Sequence, residues 1–117
     1  AKGQQIVLNG KSVLTAAQAE LSSTYAKSGK PADVNVTSIL DTADVPKATA
    51  VEIVTGGTSE KADKTSHASY TVYGVKYTEG DKTIYYVYNA GTGAASWDAT
   101  ASDYATVAAA GTTITIK

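Results

Sequence analysis

The stretch from Ser69 to Asn89 constrains the fold more than any other part of the chain. Two runs dense in Thr, Val, Ile and Tyr, Ser69–Tyr77 and Lys82–Asn89, flank the polar break Thr78-Glu79-Gly80-Asp81. β-Branched and aromatic side chains suit a pleated surface, and a Gly-containing break between two such runs predicts a β-hairpin. A loop centred on Glu79-Gly80 sets Val75 opposite Ile84 and Tyr73 opposite Tyr86 on one face. On the other face Val72 meets Val87 and Tyr85 lies opposite Gly74, where its ring covers bare backbone. Both faces carry large side chains, so the hairpin is expected to be central in a sheet or covered by a partner.

The flanking segments suggest further strands. Gln5–Leu8 and Lys11–Leu14 flank Asn9-Gly10, the favoured pair for a type I′ turn, and predict a second hairpin. A short helix follows in this reading: Thr15 and Gln18 stand at capping-box spacing, and Leu14, Ala17, Leu21 and Tyr25 form one stripe. Gly29 and Pro31 stop it. Strands are expected at Asp33–Leu40, at Thr49–Thr55 and at Thr112–Lys117, where Ile114 and Ile116 share a face. Gly56–Ala68 reads as an exposed, mobile loop. After a loop marked by Gly91 and Gly93, Ser96–Asp103 reads as one helical turn capped by Ser96. No internal repeat is visible. The expected fold is mainly β: a small β-sandwich, Ig-like or jelly-roll-like, with one short helix near the N-terminus. A single domain spans residues 1–117, and its residues 1–30, hairpin plus short helix, are a candidate assembly arm.

Composition narrows the chemistry. The 117 residues include no Cys, Met, Phe or Arg and a single His, while Ala, Thr, Ser and Gly make up nearly half. Without Cys there is no disulfide, thiolate metal site or thiol nucleophile. A net charge of −1 and the lack of Arg argue against a nucleic-acid surface, which needs a basic excess. No apolar run approaches the roughly 20 residues that span a bilayer. Ala1–Gln5 leads straight into a short apolar stretch and carries no recognisable secretory signal. The lack of Met leaves open whether an initiator was removed before Ala1 or a longer precursor was cut.

No catalytic residue, cofactor site or metal site is assigned. His67 lies in the polar loop with no acid at an informative spacing, and no Gly-x-Ser-x-Gly motif occurs. Asp41 with Asp44, and Asp98 with Asp103, place acids close together, but neither pair has the alternating ligands and Gly of a calcium loop. Turns and helix starts account for them better. Asn35-Val36-Thr37 matches a glycosylation acceptor, an accidental pattern in so Thr-rich a chain.

Tyrosine carries the binding potential. With Phe and Met absent, Tyr has to serve as the large side chain of the sheet, yet one small core cannot take every ring. Tyr70, Tyr73, Tyr77, Tyr85, Tyr86, Tyr88 and Trp97 are therefore the candidate interface, with part of the set in the core and the surplus meeting another molecule. In composition the chain resembles small phage capsid-decoration, head-fibre and tail proteins, and bacterial or archaeal surface-filament subunits. The function expected is that of a non-enzymatic structural subunit, most of all a phage virion protein. The alternatives are an extracellular filament or surface-layer subunit and a carbohydrate- or protein-binding β-sandwich module. The implied partners are further copies of itself, as a homo-oligomer, or a capsid or filament protein, on a virion or at the cell surface.

Overall fold

Ile6, Gly10, Val13, Ala17 and Leu21 recur every three or four residues, and a helix is the conformation that stacks such positions on one side. In the computed structural model, which describes residues 4–56 and 67–117, they are the buried stripe of one continuous helix, α1 (Gln4–Ala26). The hairpin expected at Asn9-Gly10 is absent. Asn-Gly is a strong turn signal only where the chain has nothing better to bury. Here Gly10 lies against the indole of Trp97: a Cβ on Gly10 would stand 2.6 Å from Trp97 Cζ3 and 3.1 Å from Ile84 Cδ1. Its helix-interior cost of about 1 kcal/mol is offset by that close approach.

The end of α1 follows the Schellman pattern. The N–H of Gly29 donates to Thr24 O at 2.9 Å and that of Ser28 to Tyr25 O at 3.1 Å, with Ser28 left-handed at φ 60°. After one 3-10 turn at Pro31–Asp33, the segment expected as a strand forms helix α2 (Val36–Ala43) instead. Asn35 starts it, accepting at Oδ1 from the Ser38 N–H at 3.0 Å, and Asp44 ends it at φ 52°. Those roles account for the side-chain types that suggested a glycosylation site and an acid pair.

Among the described residues five strands follow: β1 (Ala50–Thr55), β2 (Val72–Glu79), β3 (Lys82–Asn89), β4 (Ala94–Ser96) and β5 (Thr112–Thr115). Helix α3 (Ala101–Ala110) lies between the last two. The strands form one open antiparallel sheet in the order β4-β3-β2-β1-β5. The expectation of a mainly β sandwich with one short helix is therefore corrected. Among the described residues three α-helices, one of them long, stand in place of the second sheet, because the segments counted as extra strands bury 3.6-period stripes. The remainder of the predicted loop, residues 57–66, and the His67 side chain lie outside the described residues.

The central hairpin stands, with a different register. Tyr77 pairs with Ile84 and Val75 with Tyr86, so the two-residue loop is Gly80-Asp81, with Gly80 at φ 62°. A shift of two residues leaves each side chain on its expected face, whereas a shift of one would have turned every side chain over. A bulge beside Val54 and Thr55 does turn one pair: Val72 goes into the core and Tyr73 to the opposite face. Gly74 now pairs with Val87, and the ring that covers it is Tyr104 of α3, not Tyr85.

Most of the core lies between α1 and α2 and the sheet. Val13, Leu21 and Ile39 of the helices meet Val51, Ile53, Val75, Tyr77 and Ile84 of the strands, with Ile114 and Ile116 beside β1. Helix α3 packs on part of the other face, over Gly74. No helix among the described residues is long and apolar enough to cross a membrane. Gly10→Val should destabilise the chain by about 2 kcal/mol through overpacking against Trp97. Urea unfolding followed by Trp97 fluorescence measures this; an unchanged midpoint would contradict the close helix–sheet approach.

Candidate interaction surfaces

Two polar clasps set α1 on the sheet, and they decide which surfaces stay open. Near one end, Asn9 Nδ2 donates to Glu79 Oε2 at 2.7 Å, and the buried Tyr77 hydroxyl donates to the same oxygen at 2.5 Å. Roughly 13 Å further along the helix axis, Gln18 Nε2 donates to Tyr70 O at 2.9 Å and Gln18 Oε1 accepts from the Val72 N–H at 3.0 Å. Gln18 is therefore no helix cap; it satisfies backbone groups at the start of β2, beside the bulge. Tyr70 is buried too, donating its hydroxyl to Gly29 O at 2.6 Å and standing edge-on to Tyr25.

The predicted aromatic set thus separates into groups. Tyr70 and Tyr77 are core residues. Tyr86 and Trp97, with ring centroids 5.1 Å apart, are half-buried against the α1 side of the sheet. Tyr85 stands on the α3 side, 5.4 Å from Tyr104. Tyr73 and Tyr88 meet edge-to-face at 5.2 Å and stay half-exposed.

Tyr104, outside the sequence-derived set, is the residue that holds α3 in place. Thr100 and Asp103 start this helix with a reciprocal capping box, at 3.1 Å in both directions. The helix therefore begins five residues after Ser96, whose Oγ accepts instead from the Asp98 N–H at 2.9 Å. Tyr104 is the one buried residue of α3; its ring lies over Gly74 and its hydroxyl donates to Glu52 Oε1 at 2.8 Å. A Thr-x-x-Asp pattern at 100–103 was the available signal for the helix start.

Along the far half of β3, between β4 and α3, runs an open groove of about 720 Å³. Tyr73, Val87, Tyr88, Ala94, Val107 and Ala110 give it an apolar lining, and Asn89, Asp98 and Asp103 add polar groups, with no Lys among the described lining residues. Tyr73 closes one side by lying against Gly56. The second open surface is the outer side of α1, where Leu8 is 55 % exposed and is flanked by the exposed Lys11, Ser12 and Thr15.

The titration behaviour of the polar clasps has structural causes. Burial, then the bond to Glu79, pushes the Tyr77 phenol far above its ordinary value. Burial, then the bond to Glu52, does the same to Tyr104. The Glu79 carboxyl is held low, first by the Tyr77 hydroxyl and then by Asn9. Tyr86 is raised, chiefly by burial. Among the described residues no three His, Asp or Glu side chains group as metal ligands, and no buried side-chain nitrogen or oxygen lacks a partner.

No protein-family model matches this chain, and neither a curated protein nor a solved structure matches it.

Tyr104→Phe keeps the ring over Gly74 and loses one hydrogen bond, so it should cost about 1 kcal/mol; Tyr104→Ala empties the contact and should cost about 3 kcal/mol. Both are measured by urea unfolding, and equal losses would refute the ring's anchoring role. The raised phenols also set a pH dependence. The folded chain holds those protons more tightly than the unfolded chain, so their stabilisation is complete below the ordinary phenol pKa of about 10 and is lost as pH rises beyond it. Stability should therefore fall above that pH, and less steeply in Tyr104→Phe; an alkaline unfolding series on both proteins checks it.

Proposed function

We propose that this chain is a non-enzymatic structural subunit that repeats in an assembled particle at a virion or cell surface. One observation carries the reading: two unlike, partly apolar surfaces lie on opposite faces of the sheet and towards opposite ends of β3. The Leu8 surface belongs to α1 and, through Asn9 and Glu79, sits at the β2–β3 turn. The groove extends from Val87 to Gly91 at the other end, on the α3 face. Lys82 and Asn89, which bound β3, are separated by roughly 23 Å of extended strand. A subunit with different patches fore and aft associates head to tail, and such contacts extend unless a rotation closes them. Of the particles suggested by the sequence, this favours a filament over a capsid decoration.

The perturbed groups, where chemistry would be sought first, support the non-enzymatic reading. Glu79, which accepts from Tyr77 on its own strand, is bonded to Asn9 of α1, and Tyr104 is bonded to Glu52 of β1, so these groups are engaged in holding the fold. The groove, with Tyr73 and Tyr88 beside Asn89, also gives a second reading: a module that binds a carbohydrate or a protein segment there.

Sedimentation and light scattering over a concentration series separate the two. Assembly predicts a mass that keeps growing beyond the dimer, with elongated particles in electron micrographs. A monomer that persists to millimolar concentration would refute it. Glycan binding that is lost on Tyr88→Ala would favour the second reading.

A further inference from the structure

Resting on the assembly reading, we propose that the groove beside α3 receives the Leu8–Lys11 segment of α1 from a second copy of this chain. Three observations select that occupant. Leu8 is the exposed large hydrophobic side chain of the described residues, and it projects from a helix that its own core leaves uncovered on that side. The groove is lined by Tyr73, Val87, Tyr88 and Val107, and at about 720 Å³ it has room for a leucine together with its neighbours on the helix.

Charge supplies the third observation. Between Gln4 and Ala19, α1 carries Lys11 and no acid, whereas the described lining of the groove carries Asp98 and Asp103 and no base. Leu8 and Lys11 lie one turn apart on the helix surface, so an apolar side chain and a cation arrive together. Exposed Ser12 and Thr15 on the next turn are small enough to let the helix approach closely.

A copy cannot fill its own groove, because α1 packs on the other face of the sheet. Each docking event therefore leaves a free Leu8 surface on one subunit and a free groove on the other. The contact is heterologous, and it sets the direction of growth. Apolar burial holds the pair, while the Lys11 to Asp98 and Asp103 attraction orients it and is screened as salt rises.

The test uses two variants, each blocked on one side. Leu8→Ser lacks the docking side chain and keeps the groove; Val107→Arg fills the groove and keeps Leu8. Each alone should stay monomeric at concentrations where the unmodified chain associates, with at least a tenfold weaker association. Mixed, they should form one-to-one dimers that grow no further, since the intact Leu8 surface of one meets the intact groove of the other. Circular dichroism checks that both are folded; Asp98→Lys, at an exposed position, replaces Val107→Arg if that variant is not. Lys11→Glu combined with Asp98→Lys should recover association that either change alone weakens. If the unmodified chain assembles and the mixture gives no capped dimer, or either variant alone still extends, the docking inference is wrong and the assembly reading survives. If the unmodified chain stays monomeric throughout, both are wrong.

Discussion

The close approach of α1 to the sheet at Gly10 is the contact on which the rest of the structure depends. A helix lies this near a sheet only where a missing side chain lets an aromatic ring come up against helix backbone, and Trp97 does so here. That contact orients α1 so that Ile6, Val13, Ala17 and Leu21 bury together, at about 1.5–3 kcal/mol for each large aliphatic side chain. The polar clasps then remove the remaining freedom. Asn9 is tied to Glu79 at the turn of the hairpin and Gln18 to the backbone at the start of β2, so the helix can neither slide nor rotate without leaving donors and acceptors unpaired.

The two faces of the sheet are built differently, and the difference matters for function. The α1 and α2 face holds a continuous aliphatic core. The α3 face depends on Val54 and on Tyr104, whose ring occupies the space over Gly74 while its hydroxyl reaches Glu52. One aromatic anchor on a ten-residue helix leaves much of that face uncovered. The bulge in β2 adds Tyr73 to it, beside Tyr88. Aromatic surface is thus gathered where no further element among the described residues covers it. An assembling subunit has a use for such a surface, since burial against a neighbour completes what the fold leaves open.

Several features were legible in the residues alone. The hairpin from Val72 to Asn89, the strand at Ala50–Thr55 and the alternation of Ile114 and Ile116 against Thr113 and Thr115 all follow from β-branched and aromatic patterning. The need for Tyr to serve in the core followed from the lack of Phe and Met, and Tyr70, Tyr77 and Tyr104 are buried there. The N-terminal third misled because local and long-range signals disagree. Asn9-Gly10 favours a turn over a few residues, while a stripe from Ile6 to Leu21 favours a helix over many, and the longer burial prevails. In the same way Asn35, which reads as part of a strand, and Asp44, which reads as a turn acid, are the two ends of α2.

Local chemistry by itself therefore determined the β2–β3 hairpin and strands β1 and β5, which residue types must fill the core, and that thiol and arginine-based chemistry is closed to the sequence given. Tertiary structure alone decided the partners: that Gly10 receives Trp97, that Gln18 serves β2 and not its own helix, that Tyr104 covers Gly74, and that Tyr73 turns outward at a bulge. The physical reason is the range of the forces involved. Propensity and capping act within a turn or two of chain, whereas which faces meet is settled by burying whole stripes at once, and that sum is visible only when distant segments are side by side.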